Sequence, residues 1–329
     1  MKAIIISKPG ESGVLTLHEL PDPIMDNDEV LVEVAAAGIN RADLLQRRGL
    51  YPSPRGYRDD MPGLEISGKI VDLGNDVPSK WHLGQNVMSL VDGEGYASLA
   101  TVNHKMLMSV PQNVDIISAA AIPEVFLTAY DALVLQCGLK MKDKILLHAV
   151  GSGVGTAAIQ IAKQYNCDIF GTASSEEKLQ HAKDLGLNHG INYKNEKFDE
   201  YIADATNKQG VDIILDLIGS DYFNQNIHSL SIKGRLIVVG LLSGSTASIQ
   251  LGKILRNRLQ VIGTVLRSRT KEEKIALTDK FSSDFLHYFD SKDAFPVIDK
   301  IFLPNDAQKA HDYMEKNLNI GKILLDFKN

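Results

Sequence analysis

A glycine-rich segment in the middle of the chain has the residue order of a phosphate-binding turn. Residues 146–163 read as an apolar strand, a turn of sequence Gly-Ser-Gly-Val-Gly, and an alanine-rich helical pattern. Glycines let the backbone approach a pyrophosphate, and the N-terminus of the next helix offers amides and the positive end of its dipole. A strict GxGxxG does not fit, because Thr156 stands where the last glycine belongs. The context predicts a dinucleotide site, with a plain strand-to-helix turn as the alternative, and we expect the phosphates at Ser152, Gly153, Val154 and Gly155.

The second strand of this pattern ends without the acid that an NAD site requires. In such a site an Asp or Glu at this point binds the ribose 2′-hydroxyl. Here Thr172 and Ser174 occupy the strand end, and Lys178 follows one turn into the next helix. That chemistry suits a 2′-phosphate, so the sequence favours NADP over NAD. The alternative is that Lys178 is a solvated helix residue.

Side chains that bind transition metals are few and scattered. The two cysteines, Cys137 and Cys167, lie outside any CxxC, and the nine histidines show no HxH or HxxxH spacing. A disulfide framework and a cysteine-rich zinc site are therefore excluded, and a helical histidine pair is not expected. We expect both cysteines to be small buried hydrophobic residues and the protein to bind no metal.

The secondary-structure elements that position these residues fall into blocks with different hydrophobic patterns. Up to about residue 123, short apolar runs separated by Gly, Pro, Asn and Asp predict a mostly β domain of barrel type. From about residue 125, apolar strands alternate with helical patterns, which is typical of a parallel sheet covered on both faces. From about residue 293, strand-like runs return. The predicted strands are 3–7, 29–37, 66–73, 86–90, 96–102, 145–150, 168–172, 190–193, 211–217, 234–239, 260–266 and 322–327, and the predicted helices are 155–165, 175–185, 195–208 and 307–315.

Composition limits the class of protein. The chain has 329 residues, which suggests about two domains, and its 44% apolar and 23% charged residues are ordinary for a globular protein. A formal net charge of −6 does not suggest a nucleic-acid or membrane-surface protein. We expect no apolar run to approach the roughly 18 residues of a membrane span. The apolar run at the N-terminus is too short for a secretory signal, so we expect a cytoplasmic protein.

Several longer motifs resemble the zinc-free quinone oxidoreductases of the medium-chain dehydrogenase/reductase superfamily, in the zeta-crystallin-like branch and its tumour-suppressor-inducible subgroup. They are GINRADLLQRRGLY at 38–51, PGLEISG at 62–68, LTAY at 127–130, SGVGTAAIQ at 152–160, LRSR at 266–269 and NIGK at 319–322. The resemblance implies an α/β fold in which a doubly wound Rossmann sheet is inserted in a GroES-like β-barrel catalytic domain. It implies that residues 1–124, completed by 267–329, form the catalytic domain and that 125–266 form the NADP-binding domain.

The same resemblance implies a site without zinc. Zinc-dependent relatives place Cys where Asn40 stands and Gly-His-Glu where Gly63-Leu-Glu65 stands, and they carry a four-cysteine lobe that is missing here. Asn40 resembles the family's polar residue beside the nicotinamide, Tyr51 the tyrosine of the substrate cleft, and Thr128 a residue near the nicotinamide. The alternatives are a turn-forming Asn40, a Tyr51 ring packed beside Pro52, and Thr128 at a helix N-terminus.

Further cofactor contacts follow from the resemblance alone. Tyr193 matches a tyrosine near the adenosine phosphate, and Gly240 and Leu241 match the loop at the nicotinamide ribose. Arg267 is one of two arginines, with Arg269, of which one is expected to face the cofactor; exposed charges are the alternative. The other residues expected at the cofactor are Leu266, Asn319 and Lys322, and Lys322 is alternatively a strand-edge lysine.

The implied reaction is hydride transfer from NADPH to a quinone or another conjugated carbonyl. The Asn40 amide and the Tyr51 hydroxyl are candidates to stabilise charge on the carbonyl oxygen. A quinone needs little help, because its reduced anion is aromatic, and no strong acid is visible in the sequence. An enone, alkenal or enoyl-thioester reductase is one alternative, and an NADPH-retaining RNA-binding or structural protein is another. The apolar strand 260–266 is expected at a sheet edge, where it would join two chains into a homodimer.

Overall fold

The computed structural model describes residues 1–328, which pack as two units. One unit comprises Met1–Leu127 together with the chain from Arg267 onward, and the other comprises Thr128–Leu266. The predicted α/β fold, with a parallel Rossmann sheet and a GroES-like β domain, is confirmed.

The strands and helices, in chain order, have the following bounds. The strands are β1 (Lys2–Ile6), β2 (Leu15–Glu19), β3 (Glu29–Ile39), β4 (Glu65–Leu73), β5 (Asn86–Leu90), β6 (Leu99–Asn103), β7 (Leu107–Ser109), β8 (Lys144–Leu147), β9 (Asp168–Ala173), β10 (His189–Asn192), β11 (Val211–Asp216), β12 (Leu230–Val238), β13 (Gln260–Gly263), β14 (Ile298–Phe302) and β15 (Lys322–Asp326). The helices are α1 (Arg41–Arg47), α2 (Pro123–Tyr130), α3 (Gly153–Gln164), α4 (Glu176–Leu185), α5 (Phe198–Ala205), α6 (Phe223–Ser229), α7 (Leu251–Asn257), α8 (Lys271–Asp284), α9 (His287–Asp290) and α10 (Ala307–Glu315).

The first unit is organised around the long strand β3. This strand pairs antiparallel with β4, β6 and β15, within a sheet whose order is β14-β15-β3-β4-β5-β7. β1 and β2 form a separate antiparallel pair. A cluster of phenylalanines packs beside the sheet, because Phe126 lies 4.9 Å from Phe289 and 6.0 Å from Phe285 between ring centroids. The unit therefore joins the N-terminal strands to the C-terminal segment through both a sheet and a core.

The second unit is a six-stranded parallel sheet of order β10-β9-β8-β11-β12-β13. The middle residues of its central strands, such as 145–147 of β8 and 213–215 of β11, are apolar and fully buried, as predicted for a sheet covered on both faces. The strand order changes direction between β8 and β11. In open α/β sheets, ligands bind at such a point. Ser175 caps α4 as predicted, since its Oγ accepts from the Lys178 amide at 3.4 Å, and Gly186 ends the helix at φ +124°.

Several predicted bounds need correction. The strand expected at 96–102 is β6, which begins at Leu99, and the edge strand expected at 260–266 ends at Gly263. The helix expected at 195–208 is the shorter α5, because Asn207 and Lys208 adopt positive φ and end it. The 14-residue helix α8 was not predicted, because most of its faces are polar. Its start does carry a sequence signal, the capping box formed by Thr270 and Glu273.

One expectation about apolar length is wrong. The helical stretch Ser118–Gln136 has 19 residues and a mean hydropathy of 1.4, so by length and composition it is able to cross a membrane. In the structure 72% of that window is buried inside the protein. Packing within a protein core is the role that the fold gives this stretch.

Candidate functional site

The glycine-rich turn is held by a serine cap and by close backbone packing. The Ser152 hydroxyl accepts a hydrogen bond from the Gly155 amide at 3.0 Å, which fixes the first turn of α3. A Cβ on Gly155 would lie 2.7 Å from Val150 Cα and closer still to the Ala149 carbonyl oxygen. Only glycine therefore allows the helix to start this close to the strand. The backbone amides of the first helical turn have no carbonyl acceptor within the helix itself.

Lys178 lies against this same turn. A Cβ on Gly151 would meet Lys178 Cδ at 3.0 Å, so the lysine stem covers the glycine. Ser174 is half-buried directly after β9, and Glu176 accepts a hydrogen bond from the Asn192 amide at 2.9 Å. A glycine turn with a capped helix and a nearby cation, and no acid on the strand end itself, fits the phosphates of a pyridine nucleotide.

A buried polar network ties three neighbouring strand ends together. His148, directly after β8, contacts the Thr172 hydroxyl at 3.0 Å through Nδ1 and the Asn226 Oδ1 at 2.7 Å through Nε2. The Asn226 amide in turn donates to Asp216 at 3.1 Å. Burial lowers the pKa of His148 to about 4, so the ring is neutral, with its proton on Nε2 facing the Asn226 oxygen. Thr172 is therefore buried, with its hydroxyl bonded to His148.

Sequence reasoning missed this network, although a signal was present. A histidine in the continuous apolar run Leu146-Leu-His-Ala needs polar partners if it is buried. The last member, Asp216, accepts from the amides of Ile218 at 2.7 Å and Gly219 at 3.1 Å. The network therefore also shapes the loop after β11.

The loop after β12 has a glycine for a local reason. A Cβ on Gly240 would lie 2.9 Å from the Leu217 carbonyl oxygen, so its close approach is to the neighbouring loop. Leu241 is exposed, Tyr193 is exposed with its ring edge against Tyr222, and Leu266 is buried. All four residues lie in the nucleotide-binding unit, and their predicted contacts with a cofactor stay predictions.

The first unit holds a buried ion pair with every polar atom engaged. Lys322 Nζ lies 2.6 Å from Glu65 Oε1, and it donates to Asn40 Oδ1 at 2.7 Å and to the Ile39 carbonyl at 2.8 Å. Glu65 is fully buried and Lys322 is 3% exposed. A Cβ on Gly38 would overlap the Glu65 carboxylate, so that glycine makes room for the pair. All three ammonium protons of Lys322 thus have acceptors inside this unit. The alternative prediction that Lys322 is a strand-edge lysine is wrong.

Asn40 is part of this ion pair. Its Nδ2 donates to Glu65 Oε1 at 2.9 Å, and the remaining proton points toward the Gly38 carbonyl at 3.4 Å. The amide orientation follows from chemistry, because lysine only donates and a carboxylate only accepts. Donation from Asn40 to a substrate therefore competes with an existing bond to Glu65.

Tyr51 and Arg267 form a second arrangement in the first unit. The Arg267 guanidinium lies 4.9 Å from the Tyr51 ring centroid and donates to Gln46 and Ser53, each at 2.9 Å. Arg267 is 7% exposed, so its reading as an exposed charge is wrong. The Tyr51 hydroxyl makes no hydrogen bond to residues 1–328, and burial and the charge of Glu124 raise its pKa. Tyr51 therefore offers a protonated hydroxyl for donation.

Thr128 and Asn319 are the two remaining predicted site residues. Thr128 is half-buried and is the sixth residue of α2, so the alternative of a helix N-terminal position is wrong. Asn319 donates to the Gly321 carbonyl at 2.7 Å and shapes the turn before β15. The predicted role of Thr128 near the nicotinamide and that of Asn319 near the cofactor remain predictions.

Glu124 is a functional candidate that sequence reasoning missed. It is half-buried at the start of α2, and its backbone amide donates to Glu65 Oε2 at 2.8 Å. Burial and the charge of Glu65 raise its pKa to about 8. The signal in the sequence was a carboxylate placed between the apolar runs Ala119–Pro123 and Val125–Leu127.

The positions that hold zinc in related dehydrogenases carry no ligand set. Asn40 and Glu65 are engaged in the ion pair, and Leu64 is buried and apolar. Within residues 1–328, no group of three or more His, Cys, Asp or Glu side chains is placed to hold a metal. Both cysteines are buried, as predicted.

We expect the purified protein to contain no stoichiometric metal. Neither an amide tied to a carboxylate nor a leucine supplies a zinc ligand, so no tetrahedral site forms. Elemental analysis of purified protein should give well under one zinc per chain, and chelation should leave activity unchanged. About one zinc per chain, lost together with activity on chelation, contradicts this.

Comparison with known proteins supports the same fold and family. The alcohol dehydrogenase GroES-like domain family matches residues 26–112, and the zinc-binding dehydrogenase family matches residues 153–282. The human quinone oxidoreductase is 31% identical over 276 residues, covering 83% of this chain and 82% of that protein.

Two solved structures are similar over nearly the whole chain. The Escherichia coli quinone oxidoreductase complexed with NADPH has a TM-score of 0.86 at 27% identity, covering 99% of this chain and all of its own. The CurK enoyl reductase has a TM-score of 0.87 at 25% identity, covering 99% and 98%. The chain belongs to the quinone oxidoreductase family of the medium-chain dehydrogenase/reductase superfamily.

Proposed function

We propose that this oxidoreductase transfers a hydride from NADPH to a quinone or a related conjugated carbonyl without a metal. The observation that carries the proposal is the Ser152-capped glycine turn with Lys178 lying against Gly151. A pyridine nucleotide bound there supplies the hydride. The similarity to a quinone oxidoreductase complexed with NADPH supports both the proposed cofactor and the proposed acceptor.

The chain's own residues perform the remaining tasks. The amides of Gly153 and Val154 face the phosphates, because the Gly155 amide donates to the Ser152 hydroxyl and the Ser152 amide to the Ala149 carbonyl. The Tyr51 hydroxyl donates a hydrogen bond to the carbonyl oxygen of the acceptor. Arg267 fixes the Tyr51 ring from one face, at 4.9 Å. A quinone suits such a site, because its reduced form needs little further stabilisation.

A panel of acceptors tests the proposal. NADPH oxidation is measured with 1,4-benzoquinone, 1,2-naphthoquinone, an enal and an enoyl thioester. We expect the highest kcat/KM for the quinones. Turnover of the enoyl thioester alone favours the second candidate, an enoyl reductase, to which the similarity with the CurK enoyl reductase also points. No turnover with any acceptor favours a binding or structural role.

We predict a preference for NADPH over NADH of at least about ten-fold in kcat/KM, which needs only ~1.4 kcal/mol of discrimination. Ser174, Lys178 and Tyr193 are proposed to contact the 2′-phosphate. Glu176 is drawn toward Asn192, so it does not take the place of the acid in an NAD site. Lys178→Ala should raise KM for NADPH and leave NADH kinetics unchanged.

Lys183→Ala is the matched control for this prediction, because Lys183 is an exposed lysine of the same helix. It should change neither cofactor's kinetics. Equal loss of both cofactors in Lys178→Ala makes Lys178 structural, and a wild-type preference for NADH contradicts the assignment.

We also propose a homodimer through the edge of the parallel sheet. β13 is the terminal strand, so one side of its backbone is unpaired within residues 1–328. Val261 is 46% exposed on this strand, and α7, directly before it, exposes Leu251 and Leu255. An apolar open edge favours pairing with a second copy.

Light scattering should therefore give about twice the chain mass of 36.1 kDa at micromolar concentration. Val261→Lys should shift the species toward the monomer, because it adds a charge to the paired edge. Leu83→Lys, at an exposed leucine of the other unit, is the control and should remain dimeric. A wild-type mass near that of one chain contradicts the proposal.

A further inference from the structure

We propose that Glu124 is a catalytic residue that donates the proton to the acceptor's oxygen, an inference that rests on the function proposed above. Hydride addition to a conjugated carbonyl leaves an electron pair on oxygen, which needs a proton. The sequence shows no conventional acid for this step, and neither Asn40 nor Lys322 has a free proton to offer.

The backbone of Glu124 is rigidly placed. Its amide donates to Glu65 Oε2 at 2.8 Å, while Glu65 Oε1 is held by Lys322 at 2.6 Å and by Asn40 at 2.9 Å. The start of α2 is therefore anchored to the buried ion pair. Any substitution that keeps the backbone amide keeps this anchor.

The side chain of Glu124 differs from the carboxyls around it. The Glu65 carboxylate has the three polar contacts just described. The Asp43 carboxylate accepts from the backbone amide of Asn40 at 2.8 Å and from the Tyr96 hydroxyl at 2.9 Å. The carboxyl of Glu124 makes no hydrogen bond or ion pair to any part of the described chain, residues 1–328, and it is half-buried. It is thus partly desolvated and open to a ligand.

The charges that face Glu124 disfavour its ionised form. Glu65 and Asp43 are negative neighbours, and Lys322 and Lys274 are two of the positive ones. Lys322 is committed to Glu65, and Lys274 is committed to Asp92 and to the Arg267 carbonyl at 2.8 Å. Arg267 is the third positive neighbour, and its guanidinium donates to Gln46 and Ser53. None of these three cations forms an ion pair with the Glu124 carboxyl among the described residues.

The proposed role of Tyr51 at the acceptor gives Glu124 access to the same ligand. The charge of Glu124 acts on both Tyr51 and Arg267, so all three groups share one region. With a pKa near 8, Glu124 is protonated at neutral pH and is a carboxylic acid able to donate. Tyr51 then orients the acceptor, and Glu124 supplies the proton.

The proposed step conserves atoms, electrons and charge. The acceptor gains a hydride and is reduced, and the dihydronicotinamide is oxidised. The π-electron pair of the acceptor moves to its carbonyl oxygen, the O–H bond of Glu124 breaks, and an O–H bond forms on the product. The Glu124 carboxylate then regains a proton from water.

Glu124→Gln tests the proposal, because glutamine keeps the shape and the backbone amide but loses the acidic proton. We expect kcat with an enone to fall roughly 100-fold, which lies at the lower end of what general acids contribute. The loss with 1,4-benzoquinone should be smaller, because its reduced anion is stable. Wild-type kcat should fall above pH ~8 as Glu124 ionises, and the variant should be insensitive to pH there.

A second measurement does not depend on turnover. Isotope-edited infrared spectroscopy of the protein without nucleotide should show a protonated glutamic acid that titrates near pH 8 in wild type and is absent in Glu124→Gln. Glu33→Gln, at an exposed residue of β3, is the control and should keep both the signal and the wild-type rates.

The outcomes separate the two proposals. Normal wild-type turnover with an unchanged rate and pH profile in Glu124→Gln overturns the role of Glu124 alone. Absence of the protonated signal in wild type overturns it as well. Absence of any NADPH-dependent turnover in wild type overturns the proposed function, and the donation step with it.

Discussion

Lys322→Met is expected to lower the free energy of unfolding by about 3–5 kcal/mol. The substitution leaves the Glu65 carboxylate fully buried without its cation, and an uncompensated buried charge costs this much. For a unit of this size, each kcal/mol shifts Tm by about 2–4 °C, so calorimetry should show a fall of roughly 6–20 °C. The start of α2 should loosen too, because the Glu65 carboxylate also anchors the Glu124 amide.

Two further variants check that the effect comes from an unpaired charge. Glu65→Gln combined with Lys322→Met removes both charges and should recover much of the lost stability. Lys280→Met removes a lysine of the solvent-exposed pair with Asp284 and should cost less than about 1 kcal/mol. A Lys322→Met protein as stable as wild type would mean that the ion pair contributes nothing to the fold.

Gly155→Ala is expected to weaken NADPH binding by about ten-fold or more. The added methyl group would lie 2.7 Å from Val150 Cα and would overlap the Ala149 carbonyl, and both neighbours are backbone. Overpacking of this kind costs ~1–3 kcal/mol, and ~1.4 kcal/mol corresponds to ten-fold in affinity. The helix start must move away from the strand, which displaces the amides that we propose to bind the phosphates. Titration calorimetry with NADPH measures the change.

Gly252→Ala is the matched control, because it adds the same methyl group in the same unit. Its nearest contact is the mobile end of Arg256 at 3.2 Å, so the change should be tolerated and NADPH affinity kept. Wild-type affinity in Gly155→Ala would show that the nucleotide does not depend on the geometry of this turn.

The fold was predictable because its elements carry strong local signals. The central strands of the parallel sheet contain continuous apolar runs, such as residues 145–147 and 213–215, and Ser175 and Gly186 bound a helix by their capping chemistry. Helix α8 escaped prediction because it buries only a narrow stripe that includes a lysine. Lys274 is buried there because Asp92 and the Arg267 carbonyl satisfy it, and Asp92 lies 182 positions away in the sequence.

The site was predictable in part, for the same reason. The glycine turn and its serine cap are local, so residues 151–155 identify them. The commitment of Asn40 and Lys322 to Glu65 brings together residues 25 and 282 positions away from Asn40, and no local pattern shows it. The acid character of Glu124 arises from burial and from the charges around it, which sequence spacing does not reveal.

The proposed reaction is hydride transfer from NADPH to a quinone by a protein that needs no metal. The most direct measurement is an anaerobic single-turnover reaction of the chelator-treated protein with 1,4-benzoquinone and NADPH carrying deuterium at the transferred position of C4. We expect one NADPH to be consumed per quinone reduced, at a lower rate with deuterium than with hydrogen. No NADPH oxidation, or oxidation that chelation abolishes and added zinc restores, would contradict it.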